Sequence, residues 1–228
     1  MAKTKSHHEE KEPVAKSTEW IFQFWAWQLL VWGLYRYFFK LPETLDEFVV
    51  KPLIFVLPVV WFVLKVEKRK LGSIGLTKRN FLRSVLIGFG FGLLFAGEAI
   101  FANVMKYGYL KLSPIQSVAA YGIPMMVVLS FATAFSEELL SRGFFFSRLF
   151  ENSKNLIHAV IMSTLLFVAF HIPILLTSLK FQGMTLILFF VTSFVLGMTN
   201  SLIFNRTKSL AGPVLIHLFW NLTVSVFL

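Results

Sequence analysis

Four stretches in the second half of the chain each run for 20 to 25 residues without a single Asp, Glu, Lys or Arg. These stretches are residues 112–136, 155–179, 181–205 and 209–228. A helix needs about 20 mostly apolar residues to cross a bilayer, and each stretch reaches that length. Because lipid offers no partner for a free backbone group, such segments must be helical. The sequence therefore predicts an all-α, polytopic transmembrane helical bundle.

Three further spans are predicted in the first half of the chain: 20–39, 48–66 and 85–105. The second of them is the weakest. Lys51 and Lys65 would have to extend outward to the membrane surface, and Pro52 and Pro58 are expected to interrupt the helix. The predicted total is about seven helices, or eight if the pattern misses a short one. The chain then divides into a polar tail (1–19), amino-terminal transmembrane helices (20–117) and a helical core (118–228).

The third span carries Gly88, Gly90, Gly92 and Gly97, together with one charged residue, Glu98. Small residues on one face allow two helices to approach closely, so this glycine face predicts tight packing. A charge inside a span is a candidate for function. For Glu98, an ion pair with an Arg or His and a functional role are equally good interpretations.

The basic residues indicate how the chain is oriented. The chain has 22 Lys and Arg against 12 Asp and Glu, a net charge of +10. With seven spans, sixteen basic residues lie on the same side as the amino terminus and six lie on the other. The positive-inside rule places the amino terminus and the tail in the cytoplasm. Because these residues border apolar runs, the expected partner is the lipid bilayer and not nucleic acid. The oligomeric state stays open.

Composition and motifs exclude several classes of protease. The chain has no Cys, so a thiol nucleophile is excluded, and Asp46 is its only Asp, which excludes a pair of catalytic aspartates. No serine candidate, such as Ser136, Ser141 or Ser163, stands in the glycine-flanked setting of a nucleophile elbow. A serine mechanism is therefore disfavoured.

Polar residues interrupt the apolar second half at three places. Glu137 and Glu138 end the fourth span, and Arg142 follows Glu138 by four residues, so Glu138 and Arg142 can form an ion pair on one helix face. Adjacent helical residues point about 100° apart, so Glu137 must face a different neighbour. In the fifth span His171 follows Phe167 by one turn, and Phe167 is counted as a supporting residue.

The third place is the seventh span, where His217 and Asn221 lie four residues apart and share a helix face. The turn between the fourth and fifth spans is expected near Lys154. Glu137 lies 17 residues before Lys154 and His171 lies 17 residues after it. If the helix continues past Gly143, both side chains lie roughly 25 Å from the turn and can meet.

A carboxylate that meets imidazoles inside a bundle suggests hydrolysis of a peptide bond. Glu137 can act as the general base, and His171 can share or orient the same water. His217 and Asn221 can donate hydrogen bonds to the developing oxyanion.

Zinc is the rival chemistry, because Glu137, His171 and His217 form a plausible catalytic ligand set. The chain has no His-Glu-x-x-His helix, and its nearest string, His7-His8-Glu9-Glu10, lies in the polar tail. Catalysis without a metal cofactor is therefore favoured, with zinc as the alternative.

A second function of another class also stays open. In a non-hydrolytic immunity or binding protein, or in a transporter, the same Glu and His cluster would bind a cation or carry protons.

Three motifs, in this order, resemble those of the CPBP family: Glu137-Glu138-x-x-x-Arg142, Phe167-x-x-x-His171 and His217-x-x-x-Asn221. The family comprises the type II CAAX prenyl endopeptidases and the bacteriocin-processing or Abi-type membrane proteins. The resemblance covers roughly residues 118–225 and makes 118–228 a CPBP-like catalytic core. The first 110 residues contribute only extra spans to it.

The resemblance implies a membrane-embedded protease whose substrate is a peptide or a prenylated peptide. It implies roles for six side chains: activation of water by Glu137 and His171, an oxyanion site at His217 and Asn221, and support of the glutamate pair by Glu138 and Arg142. CAAX-processing members open toward the cytoplasm, which agrees with the orientation given above. They usually have eight helices. The family has been described both as zinc-dependent and as metal-independent, so the resemblance does not decide the cofactor.

Overall fold

The computed structural model describes residues 18–112 and 116–227. Most of the predicted tail, including the His7-His8-Glu9-Glu10 string, lies outside the described residues. The described part contains helices and no strand, which confirms the predicted fold class. Its seven helices are α1 (Glu19–Phe38), α2 (Glu43–Val66), α3 (Phe81–Tyr107), α4 (Ala120–Ser153), α5 (Leu156–Leu179), α6 (Gly183–Thr207) and α7 (Ala211–Phe227).

Five of these helices, α2 to α6, are long and apolar enough to cross a membrane. The last helix, α7, is also apolar but has only 17 residues, and α1 has 20 residues with several Trp, Tyr and Gln side chains. The seven predicted spans therefore correspond to seven helices in the described part of the chain.

The second predicted span is more regular than expected, because α2 is one continuous helix from Glu43 to Val66. The prediction that Pro52 and Pro58 interrupt it is wrong. A proline lacks the N–H for an i→i−4 hydrogen bond. The helix accommodates the prolines by widening into π-helical turns on both sides of them, and such turns place the hydrogen bonds at i→i+5. The helix also begins five residues earlier than predicted, which makes Glu47 part of it.

The hairpin of α4 and α5 has the predicted turn. Gly143 does not break α4, because Leu139–Phe146 winds as a buried π-helix that continues to Ser153. A side chain at Gly143 would come within 2.7 Å of the carbonyl oxygen of Ile74, so glycine allows this close contact. Lys154 then reverses the chain with a positive φ of 54°.

Three connections meet at the end of the bundle where that turn lies: 67–80, 154–155 and 208–210. Arg148 in α4 donates to Glu67 at 2.7 Å, and Arg69 binds Glu151 through two nitrogens at 2.7 and 2.9 Å. These ion pairs join the most basic connection of the chain to the end of α4.

Helix α1 packs between α2 and α5. The indole N–H groups of Trp25 and Trp32 donate to backbone carbonyls of α5 at 3.2 and 3.1 Å, and Gln28 donates to a carbonyl of α2 at 3.0 Å. Aromatic side chains fill the space between these helices and α4, with Phe55 packed against Trp32 and Phe170. This arrangement places α2 next to the middle of α4 and α5.

The predicted glycine face of α3 is confirmed at two of its four positions. A side chain at Gly88 would lie 2.7 Å from the backbone of Gly212, and one at Gly92 would overlap the ring of Phe219. Both neighbours belong to α7, so these glycines allow α3 and α7 to pack closely. A side chain added at Gly90 or Gly97 would meet no other helix within 4 Å in the described part of the chain.

Candidate active site

Glu138 is fully buried and is the centre of a polar network. Its Oε1 atom accepts from Arg142 at 3.1 Å, from the amide of Asn200 at 2.9 Å and from Nδ1 of His217 at 2.8 Å. The predicted ion pair of Glu138 and Arg142 is therefore present, with both side chains fully buried. Three donors on one carboxylate oxygen, one of them charged, join α4, α6 and α7 at this point.

The Arg142 guanidinium also packs over an aromatic ring. Its central carbon lies 4.3 Å from the centre of the Phe167 ring, a cation–π contact. A side chain at position 197 would approach Arg142 to 3.0 Å, so Gly197 leaves room for the guanidinium.

Glu137 faces different neighbours, as the 100° offset predicts. Its Oε1 atom accepts from Nζ of Lys51 at 3.0 Å, and the same ammonium lies 2.8 Å from Oε1 of Glu47. Lys51 is buried, with only 9% of its side chain exposed. The expectation that Lys51 extends to the membrane surface is therefore wrong, because two carboxylates inside the bundle compensate its charge. Lys65 is exposed, as predicted.

The second oxygen of Glu137 faces both histidines. Oε2 lies 3.9 Å from Nε2 of His171 and 3.7 Å from Nε2 of His217, and no donor among the described residues bonds to it. The structure thus brings Glu137, His171 and His217 together at one point. The equal spacing of Glu137 and His171 from Lys154 predicted the first of these contacts.

The histidine rings are held by their other nitrogen. Nδ1 of His171 lies 3.2 Å from the Phe167 carbonyl oxygen, and Nδ1 of His217 lies 2.8 Å from Glu138. Both partners are acceptors, so each Nδ1 carries a proton and each neutral ring presents Nε2 as an acceptor. His171 lies at a break in α5, two residues before Pro173, which cannot supply the backbone N–H of a regular helix.

Asn221 is not joined to this cluster. It lies one turn beyond His217 on α7 and is partly exposed. Within 18–112 and 116–227, no hydrogen bond links its side chain to Glu137, His171 or His217. Glu98 is also outside the cluster: it is exposed on α3, and no ion pair with Arg or His forms within the described ranges.

Three residues of the site were not found from the sequence: Lys51, Glu47 and Asn200. The sequence pattern places Lys51 at the membrane surface, and Glu47 lies one residue outside the predicted second span. Asn200 is an uncharged polar residue in a long apolar run, and its full burial became visible only in the structure. The polar character of Asn200 in such a run was the available signal.

A small cavity of about 60 Å³ lies beside Glu137, large enough for a water molecule. Its walls come from α1, α2, α4 and α5: Trp32, Lys51, Phe55, Glu137, Leu140, Ser141, Phe167, Phe170, His171 and Ile174. The first two helices therefore line the cavity, although they lie outside the residues on which the family resemblance rests.

Glu137, His171 and His217 have the donor types of a zinc site, and each imidazole is oriented through its Nδ1, as metal-binding histidines usually are. As positioned, no three His, Asp or Glu side chains in the described ranges form a group spaced for a metal ion. The donor types fit zinc, but the spacing of these three side chains does not.

Together, the helices and this cluster define a polytopic helical membrane protein with a glutamate and histidine centre buried in its bundle. Residues 119–223 match the family model of the Rce1-like type II CAAX prenyl endopeptidases. This region contains all three motifs, so this part of the chain is similar to the CPBP family of proteases. Comparison with curated proteins and with solved structures gave no match.

Proposed function

We propose that the protein is an intramembrane endopeptidase that hydrolyses lipidated, leader or other membrane-associated peptides near the cytoplasmic side. The observation that carries this proposal is the convergence of Glu137 Oε2 with Nε2 of His171 and of His217, at 3.9 and 3.7 Å. A carboxylate beside two imidazoles can take a proton from water and orient that water. The match of residues 119–223 to a protease family supports a peptide as the substrate.

These distances suit a water molecule placed among the three groups. Separations of 3.7 to 3.9 Å are too long for direct hydrogen bonds, and the adjoining cavity of about 60 Å³ has room for a water molecule. All three atoms are acceptors when the imidazoles are neutral, and the two O–H groups of a water molecule can donate to two of them. We assign the attacking water to this position.

Hydrolysis then needs one general base, which takes a proton from the water and later gives that proton to the leaving amine. Glu137 takes a proton from the water while the water oxygen bonds to the carbonyl carbon of the scissile peptide. The carbonyl electrons move to its oxygen and form a tetrahedral oxyanion. When the C–N bond breaks, the protonated Glu137 returns the proton to the departing amine, so the side chain ends as it began.

The oxyanion needs hydrogen-bond donors. Asn221 offers a side-chain amide one turn beyond His217, and His217 can donate through Nε2 in molecules whose imidazole has taken a proton from solvent before the water attacks. We therefore propose both for this role. Glu138 and Arg142 support the site indirectly. Glu138 orients the imidazole through the 2.8 Å contact with Nδ1 of His217, and Arg142 compensates the charge of Glu138.

Catalysis without a metal cofactor is proposed, with zinc as the alternative. If zinc binds, Glu137, His171 and His217 would hold it, and the ion would lower the pKa of a bound water. Lys51 supports the metal-free assignment, because its ammonium already occupies one of the two oxygens of Glu137.

Purified protein is expected to cleave members of a peptide library that contains prenylated, unprenylated and leader-type sequences, whereas the Glu137→Ala variant cleaves none of them. Activity is expected to persist after dialysis against a strong chelator, because the water is activated by side chains. Product formation is measured by mass spectrometry and bound metal by elemental analysis. Loss of activity on chelation, with recovery on adding zinc, would show the metal mechanism instead.

The amino terminus is proposed to lie in the cytoplasm. The connections at 67–80, 154–155 and 208–210 meet at one end of the bundle, and most basic residues of the chain belong to that side. Because the chain has no Cys, single cysteines report orientation directly. Lys68→Cys is expected to react only after the cytoplasmic side is opened to an impermeant thiol reagent, and Lys180→Cys to react in intact cells. The reverse pattern would contradict the orientation.

One observation favours a non-hydrolytic function as the second candidate. The buried cluster holds three carboxylates, on Glu47, Glu137 and Glu138, against two cations, on Lys51 and Arg142. With neutral histidines this leaves one excess negative charge, which a proton or a small cation could compensate. Cation or proton uptake by wild-type protein that cleaves no peptide would favour this function.

A further inference from the structure

Lys51 connects the candidate base to a helix outside the family match. It lies on α2, whereas the match covers only residues 119–223. Its ammonium is buried between Glu137, at 3.0 Å, and Glu47, at 2.8 Å. A buried lysine is costly unless its charge is compensated, and here two carboxylates compensate it. The two carboxylates around Lys51 therefore stabilise a positive charge at this position.

The contact distinguishes the two oxygens of Glu137. Lys51 donates to Oε1, and no other donor to that oxygen exists within the described ranges. Oε2 is left facing His171 and His217. Without the ammonium, the Glu137 carboxylate can rotate about its terminal side-chain torsion, and either oxygen can then face the water.

Glu47 holds the lysine in turn. It lies one helical turn before Lys51, and its own carboxylate accepts a hydrogen bond from the hydroxyl of Thr133 on α4. Glu47 is therefore fixed to the same helix that carries Glu137. The long lysine side chain has lost most of its rotational freedom at both contacts.

We infer that Lys51, held by Glu47, is a positioning residue that binds Oε1 of Glu137 and so directs Oε2 toward the catalytic water. This inference rests on the proposed function, because it assigns a role within the same hydrolysis. Lys51 does not touch the peptide. It acts by fixing the geometry of the base, and a displaced catalytic group lowers the rate of the chemical step.

The test compares kcat and KM in Lys51→Met, Lys51→Arg and a control, Arg148→Met. Lys51→Met is expected to lower kcat about 100-fold, the cost of a misplacement near 1 Å, with KM almost unchanged. Lys51→Arg keeps the charge and is expected to recover most of that loss. Arg148 forms another buried ion pair, with Glu67, at the far end of α4. Its variant is expected to lower the melting temperature while kcat stays at the wild-type value.

A second variant removes the risk that Lys51→Met fails to fold with two unpaired carboxylates. Glu47→Gln/Lys51→Met buries one unpaired charge fewer and is expected to show the same loss in kcat. If either folded variant keeps the wild-type kcat, or loses only thermal stability as Arg148→Met does, the inference is overturned.

A double-mutant cycle separates this inference from the proposed function. Melting temperatures are measured for Lys51→Met, Glu137→Ala and the combined variant. Non-additive shifts are expected, because each substitution removes the same contact. If wild-type protein cleaves no peptide, the proposed function fails, and coupling in this cycle would still show that Lys51 holds Glu137. Additive shifts would overturn the inference whatever the activity.

Discussion

The Glu137→Gln variant is expected to lose peptide cleavage by about 10³-fold or more, near the upper end of what a general base contributes. The amide has the size of the carboxylate and can still accept from Lys51, so the helix contacts are retained. It cannot take a proton from water at neutral pH, so the chemical step loses its base. Initial rates on a fluorogenic peptide, with melting temperature as the measure of folding, check this result.

Glu98→Gln is the matched control for that substitution. Glu98 is also a glutamate inside a membrane helix, but it is exposed on α3 and lies outside the cluster. Its variant is expected to cleave at the wild-type rate. Full activity of folded Glu137→Gln protein would contradict the assignment of the base. Equal losses in both variants would show that the assay responds to general damage.

The Arg142→Met variant is expected to lose about 3 to 5 kcal/mol of stability, the usual cost of removing one partner of a buried ion pair. Glu138 would then keep a negative charge in a fully buried position with only Asn200 and His217 as donors. The stacking of the guanidinium on Phe167 is lost as well. In a protein of this size, such a loss corresponds to a fall in melting temperature on the order of 10 °C.

Arg69→Met provides the contrast, because its ion pair with Glu151 is about 40% exposed on both sides. Exposed pairs contribute roughly 0 to 1 kcal/mol, so this variant is expected to melt close to the wild type. Combining Arg142→Met with Glu138→Gln is expected to recover part of the loss, since no uncompensated charge stays buried. Similar melting of Arg142→Met and Arg69→Met would show that burial of the Glu138 pair adds nothing.

Local sequence features predicted much of the site. The ion pair of Glu138 and Arg142 followed from their four-residue spacing, and the separate direction of Glu137 followed from the helical angle. The contact between Glu137 and His171 followed from equal distances to Lys154, because a helical hairpin aligns such positions. These predictions needed only the geometry of one helix or one hairpin.

Other predictions failed where they depended on contacts between distant helices. Lys51 was expected at the membrane surface because lipid is the default surrounding of such a residue. One of its two partners, Glu137, is 86 residues away in sequence, and the other, Glu47, lies just outside the predicted second span. Asn200 bonds to Glu138 across 62 residues. Pro52 and Pro58 were expected to interrupt α2, because no local rule shows that widened turns will accommodate them.

The sequence alone determined that the chain forms membrane helices, because apolar length and the absence of charge are local properties that lipid selects directly. It also determined which polar side chains interrupt those helices. Only the tertiary structure decided which faces turn inward and which charges meet. A helix that is apolar all round carries no stripe to mark its buried side, so the rotation of α2 against α4 depends on packing between the helices. That packing placed Lys51 on Glu137 and left one carboxylate oxygen facing the two histidines.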